Sequence, residues 1–438
     1  WPAAETTNTV IRALVFDTDA PFRDEGPRAV TVPATERVAG LTLLRRSILM
    51  AWRAGAEHVT VVAQDAEARR RLSESEQRLR VPVSVVMADQ GLPDVRPDDR
   101  ILVLCAPVLA NGEMVEWLLS SSREQERSAA AVAAEAPCIG AAVLLGTDLA
   151  HALAATQSVE AAVRQVLQSP RVTPVTVAAD AYRRLDSRGA VQAAERAMFS
   201  GLTSISDGYV DRVFNRHISG WFTRRIINLP ITPNQVTWFH FSLGLVAAWL
   251  FWQGQHLHQV LGAVLFQLSV ALDCSDGEVA RLKYQFSRFG SWLDVWADNT
   301  VTIAVFVAIV QSAHTHLGAR LTWLLGGLTV SGVLMCLLVV FTMAKLQERL
   351  RPGEASSLAA TNRFSSNDQG RAESEATLVD KVINEVTSRD FSVLVVAFAL
   401  AGRLEWFPWL TGIGSHLFWI VFAGIQFSML RTANAQSR

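Results

Sequence analysis

The order of apolar and polar residues divides the chain near residue 200. Before that point short apolar runs alternate with stretches of helical period: "IRALVFD" precedes "GLTLLRRSILMAWRAGA", "HVTVVAQ" precedes "DAEARRRLSESEQRL", then come "VPVSVVMA" and "RILVLCAP" with "GEMVEWLLSSS". Short β-rich runs separated by amphipathic helices predict crossover units on a mostly parallel sheet. A soluble α/β domain is therefore expected over residues 1–200.

Beyond it the texture changes. Apolar stretches lie near 235–253, 257–277, 290–312, 320–344, 391–409 and 411–430, each close to the roughly 20 residues that a helix needs to cross a bilayer. They predict an all-α membrane domain of six transmembrane helices over 235–438. Between the fourth and fifth stretches, "LQERLRPGEASSLAATNRFSSNDQGRAESEATLVDKVINEVTSRD" is too polar for lipid and reads as a surface loop with some helix. In the linker 201–234, Val210, Val213, Phe214, Ile218, Trp221 and Phe222 recur at helical spacing opposite Arg212, Arg216 and Arg224. That pattern predicts an amphipathic helix in the membrane interface, apolar side in the acyl region and arginines at headgroup phosphates.

Composition agrees with a membrane domain: half of the 438 residues are hydrophobic and 13 are tryptophan. A formal charge of −1 lacks the basic character of a nucleic-acid binder, and no nucleic-acid partner is expected. Cys105, Cys138, Cys274 and Cys336 have no CxxC spacing, so neither a disulfide framework nor a zinc site is expected. No charged segment followed by an apolar one opens the chain, so no signal peptide is expected. Basic residues sort to one side. Arg281, Lys283, Arg288, Lys345, Arg349, Arg351, Arg363, Arg371, Lys381, Arg389 and Arg431 share the side of the N-terminal domain, whereas the opposite loops hold Arg320 and Arg403. The excess of positive charge inside puts the N-terminal domain and those loops on the cytoplasmic face of the cytoplasmic membrane.

Charge inside the spans is the feature to explain. Asp273 and Asp276 lie three apart on one predicted helix, and Asp294 and Asp298 four apart on the next, so each pair shares a face and the two pairs can meet across a hairpin. An aspartate at the centre of a membrane helix costs about 2.5–3.5 kcal/mol, so four without partners would cost on the order of 10 kcal/mol. Divalent cations turn that cost into binding, and two metals in a carboxylate cage suit phosphoryl transfer. Gly277, Ala280 and Gly290 leave backbone open to a bulky ligand, and Arg281 is within reach of a phosphate. The other reading of the same residues is a packing seam beside a water-filled cation path, as in a transporter or channel. The nine histidines form no HExxH.

The spacing Asp273-x2-Asp276-Gly277-x2-Ala280-Arg281-x8-Gly290-x3-Asp294-x3-Asp298 resembles the signature of the CDP-alcohol phosphotransferase family at all eight fixed positions. The resemblance implies six transmembrane helices with an interfacial helix before the first, a homodimer, and transfer of a phosphoryl-linked alcohol from a CDP-alcohol to a second alcohol with release of CMP. It implies that Asp273, Asp276, Asp294 and Asp298 hold two Mg²⁺ or Mn²⁺ ions, and that Asp298 is also the base that deprotonates the acceptor hydroxyl. On the nucleotide side it places Asp276, Gly277, Ala280, Arg281 and Gly290. "ITPNQVT" is similar to the opening of the family's first span, which puts Thr237 at the nucleotide. Lys345, Arg389 and Arg431, at the inner ends of the last three spans, are candidates for an acceptor phosphate, with membrane anchoring as their other reading.

The fused order resembles bifunctional enzymes in which an inositol-phosphate cytidylyltransferase precedes a di-inositol-phosphate-phosphate synthase. "GLTLLRRSILMAWRAGAEHVTVV" is similar to part of a sugar-phosphate nucleotidyltransferase, and "SRDFSVLVVAFAL" to the fifth span of such synthases. The N-terminal half departs from that pattern. After "ALVFD" there is no GxGxR and no lysine to hold a triphosphate, "ILVLCAP" ends without an acid, and Arg184 stands near Asp186 where a second acid belongs. A degenerate, catalytically inactive nucleotidyltransferase-like domain is expected. An inactive first half supplies no soluble CDP-inositol, which favours a lipid donor, CDP-diacylglycerol, with inositol phosphate or a similar polyol as acceptor, in phospholipid biosynthesis. Di-inositol-phosphate-phosphate synthesis from CDP-inositol is the alternative.

Overall fold

The computed structural model describes residues 11–18, 32–64, 66, 81–92, 95–133, 136–156, 158–178, 181–202, 214–350 and 391–436. The chain divides into two compact units, Ala3–Ser200 and Gly201–Arg438.

The first unit is a three-layer α/β fold. Its strands are β1 (Ile11–Phe16), β2 (Arg37–Val38), β3 (Leu41–Thr42), β4 (His58–Ala63), β5 (Val83–Met87), β6 (Arg100–Cys105), β7 (Val108–Ala110), β8 (Ala129–Ala133), β9 (Ala136–Leu145), β10 (Thr173–Thr176) and β11 (Tyr182–Arg184). The main sheet runs β10-β8-β9-β6-β1-β4-β5, and β9 is its single antiparallel strand. Successive side chains of a strand point to opposite faces. Ala13 and Val15 of β1 therefore join one core, with Leu102, Leu104, Leu43 and Ile48, while Leu14 and Phe16 join another, with Ile101, Val103, Leu149 and Val163. Helices α1 (Leu43–Arg53), α2 (Gly112–Gln125) and α5 (Arg188–Ser200) cover the first face; α3 (Gly146–Thr156) and α4 (Val159–Leu167) cover the second. Thr42 and Asn111 start α1 and α2 by accepting from Arg45 N and Met114 N. The helix expected in "DAEARRRLSESEQRL" lies outside the described residues, apart from the single helical position at 66.

Among the described residues, the ends of β1, β4 and β6 present acidic, amide and apolar groups. Asp17, after β1, accepts from Gln64 N, and Gln64 donates to Thr18 and Glu160. Cys105 and Ala106, at the end of β6, are buried in the apolar core. Gly140 on β9 packs there with φ +97, where a Cβ would run into Cys105 Sγ and Val108.

The second unit is helical: α6 (Arg216–Ile226), α7 (Pro233–Trp252), α8 (His256–Lys283), α9 (Arg288–Ser312), α10 (Ala319–Leu350), α11 (Phe391–Leu400) and α12 (Phe407–Gln436). Helices occupy all six stretches expected to span. Three described segments, α8, α9 and Ala319–Val339 of α10, are long and apolar enough to cross a membrane; the six-span expectation is thus met only for these by length and apolarity. The polar start of α7, with Asn234 and Gln235, and His240 further along lower its apolarity. The fifth expected stretch is not one helix. It stops at Leu400, Gly402 turns with φ +65, and the 3-10 turn Leu404–Trp406 leads to α12, which admits Pro408 in its first turn.

Helix α8 packs against α7, α6 and α11, α9 against α7 and α10, and α10 against α12. Small residues permit the closest of these approaches. A Cβ on Gly244 would collide with Val301, and one on Gly262 would press on Ala247 O. Phe241, Phe251, Phe266, Phe306 and Phe407 fill the core between the helices. Trp249, Trp292, Trp323, Leu324 and Leu417 stay exposed on the outside of the unit, an apolar surface suited to lipid.

Helix α6 differs in part from the amphipathic helix expected. Phe214 and Trp221 are exposed, as a lipid-facing side requires, and Arg225 lies over the Trp221 ring. Arg216, expected on the headgroup side, instead turns inward to Glu278 of α8 at 3.2 Å. Glu278 also accepts from Ser219 and Thr223, at 2.7 and 2.6 Å. A buried carboxylate needs these partners, and its demand outweighs solvation of the arginine. Val210, Arg212 and Val213 lie outside the described residues.

Candidate active site

Three local features bring the acidic pairs together. Helix α8 ends at Tyr284, left-handed with φ +55, and α9 begins after Ser287, whose hydroxyl accepts from Gly290 N at 2.8 Å. This tight reversal sets Asp273 and Asp276 beside Asp294 and Asp298. Lys283 donates to Leu229 O and Ile231 O, at 2.7 and 3.0 Å, which fastens the end of α8 to the chain entering α7. Thr232 and Pro233 then start α7, with Gln235 reaching back to Thr232 N at 2.9 Å.

Asp273, Asp294 and Asp298 converge with His240, and one ligand atom from each lies within 4.8 Å of the others. Asp273 and His240 are buried; Asp294 and Asp298 are half-buried. Asp276 stands beside this set rather than in it. Its Oδ2 accepts from Thr237 Oγ1 at 2.5 Å and lies 3.7 Å from His240 Nε2. A carboxylate and imidazole set suits a divalent cation, and it puts buried acids in like-charge proximity that a cation would relieve. The residues present therefore fit the metal centre expected of them.

The other sequence candidates fall around the cluster. Gly277, Ala280 and Arg281 follow the two aspartates along α8, all half-buried. A Cβ on Gly277 would meet only Arg281, 3.6 Å from Nη1, so the protein itself does not demand glycine there. Gly290 is different: a Cβ would come within 2.9 Å of Asn234 Oδ1 and of Ser287 Oγ. Among the acceptor candidates, Lys345 and Arg431 belong to α10 and α12 but their side chains, like the whole of Arg389, lie outside the described residues.

Sequence reasoning passed over His240 and Asn234. Both lie within one turn of Thr237 on α7, three residues from it in either direction. That spacing puts all three on one face, a signal outweighed by how ordinary a single histidine looks in an apolar helix.

A helical unit with a metal-competent acidic pocket at one helix hairpin defines the class of site. Residues 230–361 match the model of the CDP-alcohol phosphatidyltransferase family, so the C-terminal part of the chain contains a domain of that family. The chain is 32% identical over 112 residues to a bifunctional IPC transferase and DIPP synthase of Aquifex aeolicus, covering 26% of this chain and 25% of that one. It is 30% identical over 112 residues to an archaetidylinositol phosphate synthase of Pyrococcus horikoshii, covering 26% and 55%. The chain thus spans about a quarter of the first relative's length and about half of the second's. A solved UDP-glucose pyrophosphorylase, complexed with UDP-glucose, aligns over 44% of this chain and 99% of its own with 15% identity and a TM-score of 0.33.

Proposed function

We propose that the C-terminal unit transfers a phosphoryl-linked alcohol from a CDP-alcohol to an acceptor hydroxyl and releases CMP, with CDP-diacylglycerol as donor and inositol phosphate or a similar polyol as acceptor. The observation that supports this best is the convergence of Asp273, Asp294 and Asp298 inside the segment that matches the family. Two Mg²⁺ or Mn²⁺ ions held by the four aspartates would neutralise the diphosphate and stabilise the departing phosphate. Asp298, one of the two half-buried acids of the cluster, takes the acceptor's proton. The acceptor oxygen bonds to the alcohol-bearing phosphorus as the bond from that phosphorus to the CMP oxygen breaks.

The remaining residues position the donor. Arg281 offers its guanidinium to a phosphate, while Gly277 and Ala280 leave room for the nucleotide against α8. Thr237 fixes Asp276 by its hydroxyl. Lys345, Arg389 and Arg431 are the proposed acceptor contacts. The excess of basic residues in the loops supports a cytoplasmic side for this site and for the N-terminal unit, where both substrates would arrive, and the proposed assembly is a homodimer. The N-terminal unit, whose sequence after the first strand has no GxGxR and no lysine, is proposed to be catalytically silent.

The full chain in detergent with Mn²⁺ or Mg²⁺ tests this against two donors, CDP-diacylglycerol and CDP-inositol, the latter because the Aquifex relative is named a DIPP synthase. CMP released with the lipid donor and inositol phosphate, and abolished in Asp298→Asn, is the expected result. Release with CDP-inositol alone would move the donor to the soluble class. Cation flux in liposomes with no CMP formed would overturn the enzyme reading.

A further inference from the structure

We infer that His240 is itself a ligand of the metal centre, which makes the site a mixed imidazole–carboxylate one that favours Mn²⁺ over Mg²⁺. The inference rests on the reading of the aspartate cluster as a metal centre and adds a donor and a selectivity to it. His240 is 2% exposed, and its Nε2 is buried without a hydrogen-bond partner. It lies 3.3 Å from Asp273 Oδ1 and 3.7 Å from Asp276 Oδ2, but neither approach completes a hydrogen bond to that nitrogen. A buried polar nitrogen left in that condition is costly.

The surroundings indicate what would satisfy it. His240, Asp273 and Asp298, with Ser269 and Thr302, border a cavity of about 20 Å³, room for a single small species. The backbone of His240 is held in place, because Ser269 Oγ donates to its carbonyl oxygen at 2.7 Å. The ring is thus fixed on α7 and turned to a void shared with two carboxylates. Asp276 Oδ2, which accepts from Thr237, stands 3.7 Å from the nitrogen, beyond hydrogen-bond length.

Donor chemistry then sets the preference. Mg²⁺ takes oxygen donors almost exclusively and gives up water reluctantly, whereas Mn²⁺, a carboxylate metal too, is a first-row transition ion that also accepts an imidazole nitrogen. One nitrogen among three carboxylates costs Mn²⁺ little and discriminates against Mg²⁺.

The test is electron spin echo modulation of Mn²⁺ bound to the full-length protein in detergent, prepared with ¹⁴N- or ¹⁵N-histidine. A directly bound imidazole gives a ¹⁴N modulation that changes on ¹⁵N-histidine labelling and disappears in His240→Ala. In that variant, Mn²⁺ affinity should fall by about tenfold or more, with a smaller change for Mg²⁺. Bound Mn²⁺ with no histidine modulation in the unmutated protein would overturn the role of His240 while leaving the aspartate centre intact. No bound Mn²⁺ at all would overturn both. The labelling result requires no variant and so does not depend on how His240→Ala folds.

Discussion

Thr237 on α7 donates a 2.5 Å hydrogen bond to Asp276 on α8, and both side chains are buried. This single bond joins the segment that opens the helical unit to the second acid of the motif. Thr237→Val keeps the shape and removes the donor, leaving a buried carboxylate short of a partner. The expected loss is about 1.5–3 kcal/mol of stability together with a lower rate of CMP release. Thr237→Ser should restore both. Thermal unfolding in detergent beside the CMP assay checks this; an unchanged Thr237→Val protein would show that the bond is dispensable.

Glu278 ties α6 to α8 through Arg216, Ser219 and Thr223. Truncating it removes a carboxylate partner from a largely buried guanidinium and from two buried hydroxyls, and removing one member of a buried pair costs about 3–5 kcal/mol. In Glu278→Ala, hydrogen exchange across Arg216–Ile226 is expected to rise well before exchange in α9 does. Equal protection in mutant and parent would mean that lipid contacts alone hold α6.

The two glycines of the motif are expected to behave differently. At Gly290 an added methyl meets the side-chain oxygens of Asn234 and Ser287 at 2.9 Å, and displacing Ser287 Oγ breaks the cap it makes to Gly290 N, a loss of about 0.5–2 kcal/mol. At Gly277 a methyl meets only the flexible end of Arg281. Gly290→Ala should therefore lower the melting temperature, while Gly277→Ala should melt normally and bind CDP-alcohol more weakly. Binding by isothermal titration, alongside melting curves, separates the two.

Metal should stabilise the helical unit as well as activate it. At a free Mn²⁺ concentration about a hundredfold above Kd, the native state gains about 2.7 kcal/mol. Melting curves over a Mn²⁺ titration should rise accordingly, and a chelator should reverse the rise and abolish CMP release together. Asp273→Asn removes a buried donor from the cluster, so its melting should respond far less to Mn²⁺. A full response in that variant would place the ion elsewhere.

The sequence by itself determined the pattern of elements and the identity of the acids. In the first unit the runs "IRALVFD", "HVTVVAQ", "VPVSVVMA" and "RILVLCAP" became β1, β4, β5 and β6, because a buried parallel strand leaves an unbroken apolar signature. The strand β8, "AAAVA", gave no such signal: alanine has weak strand preference, and neighbouring strands made it one. The spacing of Asp273, Asp276, Asp294 and Asp298 announced two acidic faces on successive helices, since helical periodicity is a local property.

Only the tertiary structure decided which groups share the pocket. Helix α7 delivers His240 into the cluster and Thr237 onto Asp276, and the reach from one helix to the next has no trace in spacing along the chain. The same holds for Arg216, whose inward turn follows from a carboxylate 62 residues away that could not be left buried alone. Local periodicity fixes which side of a helix a residue occupies; packing between helices fixes what that side meets.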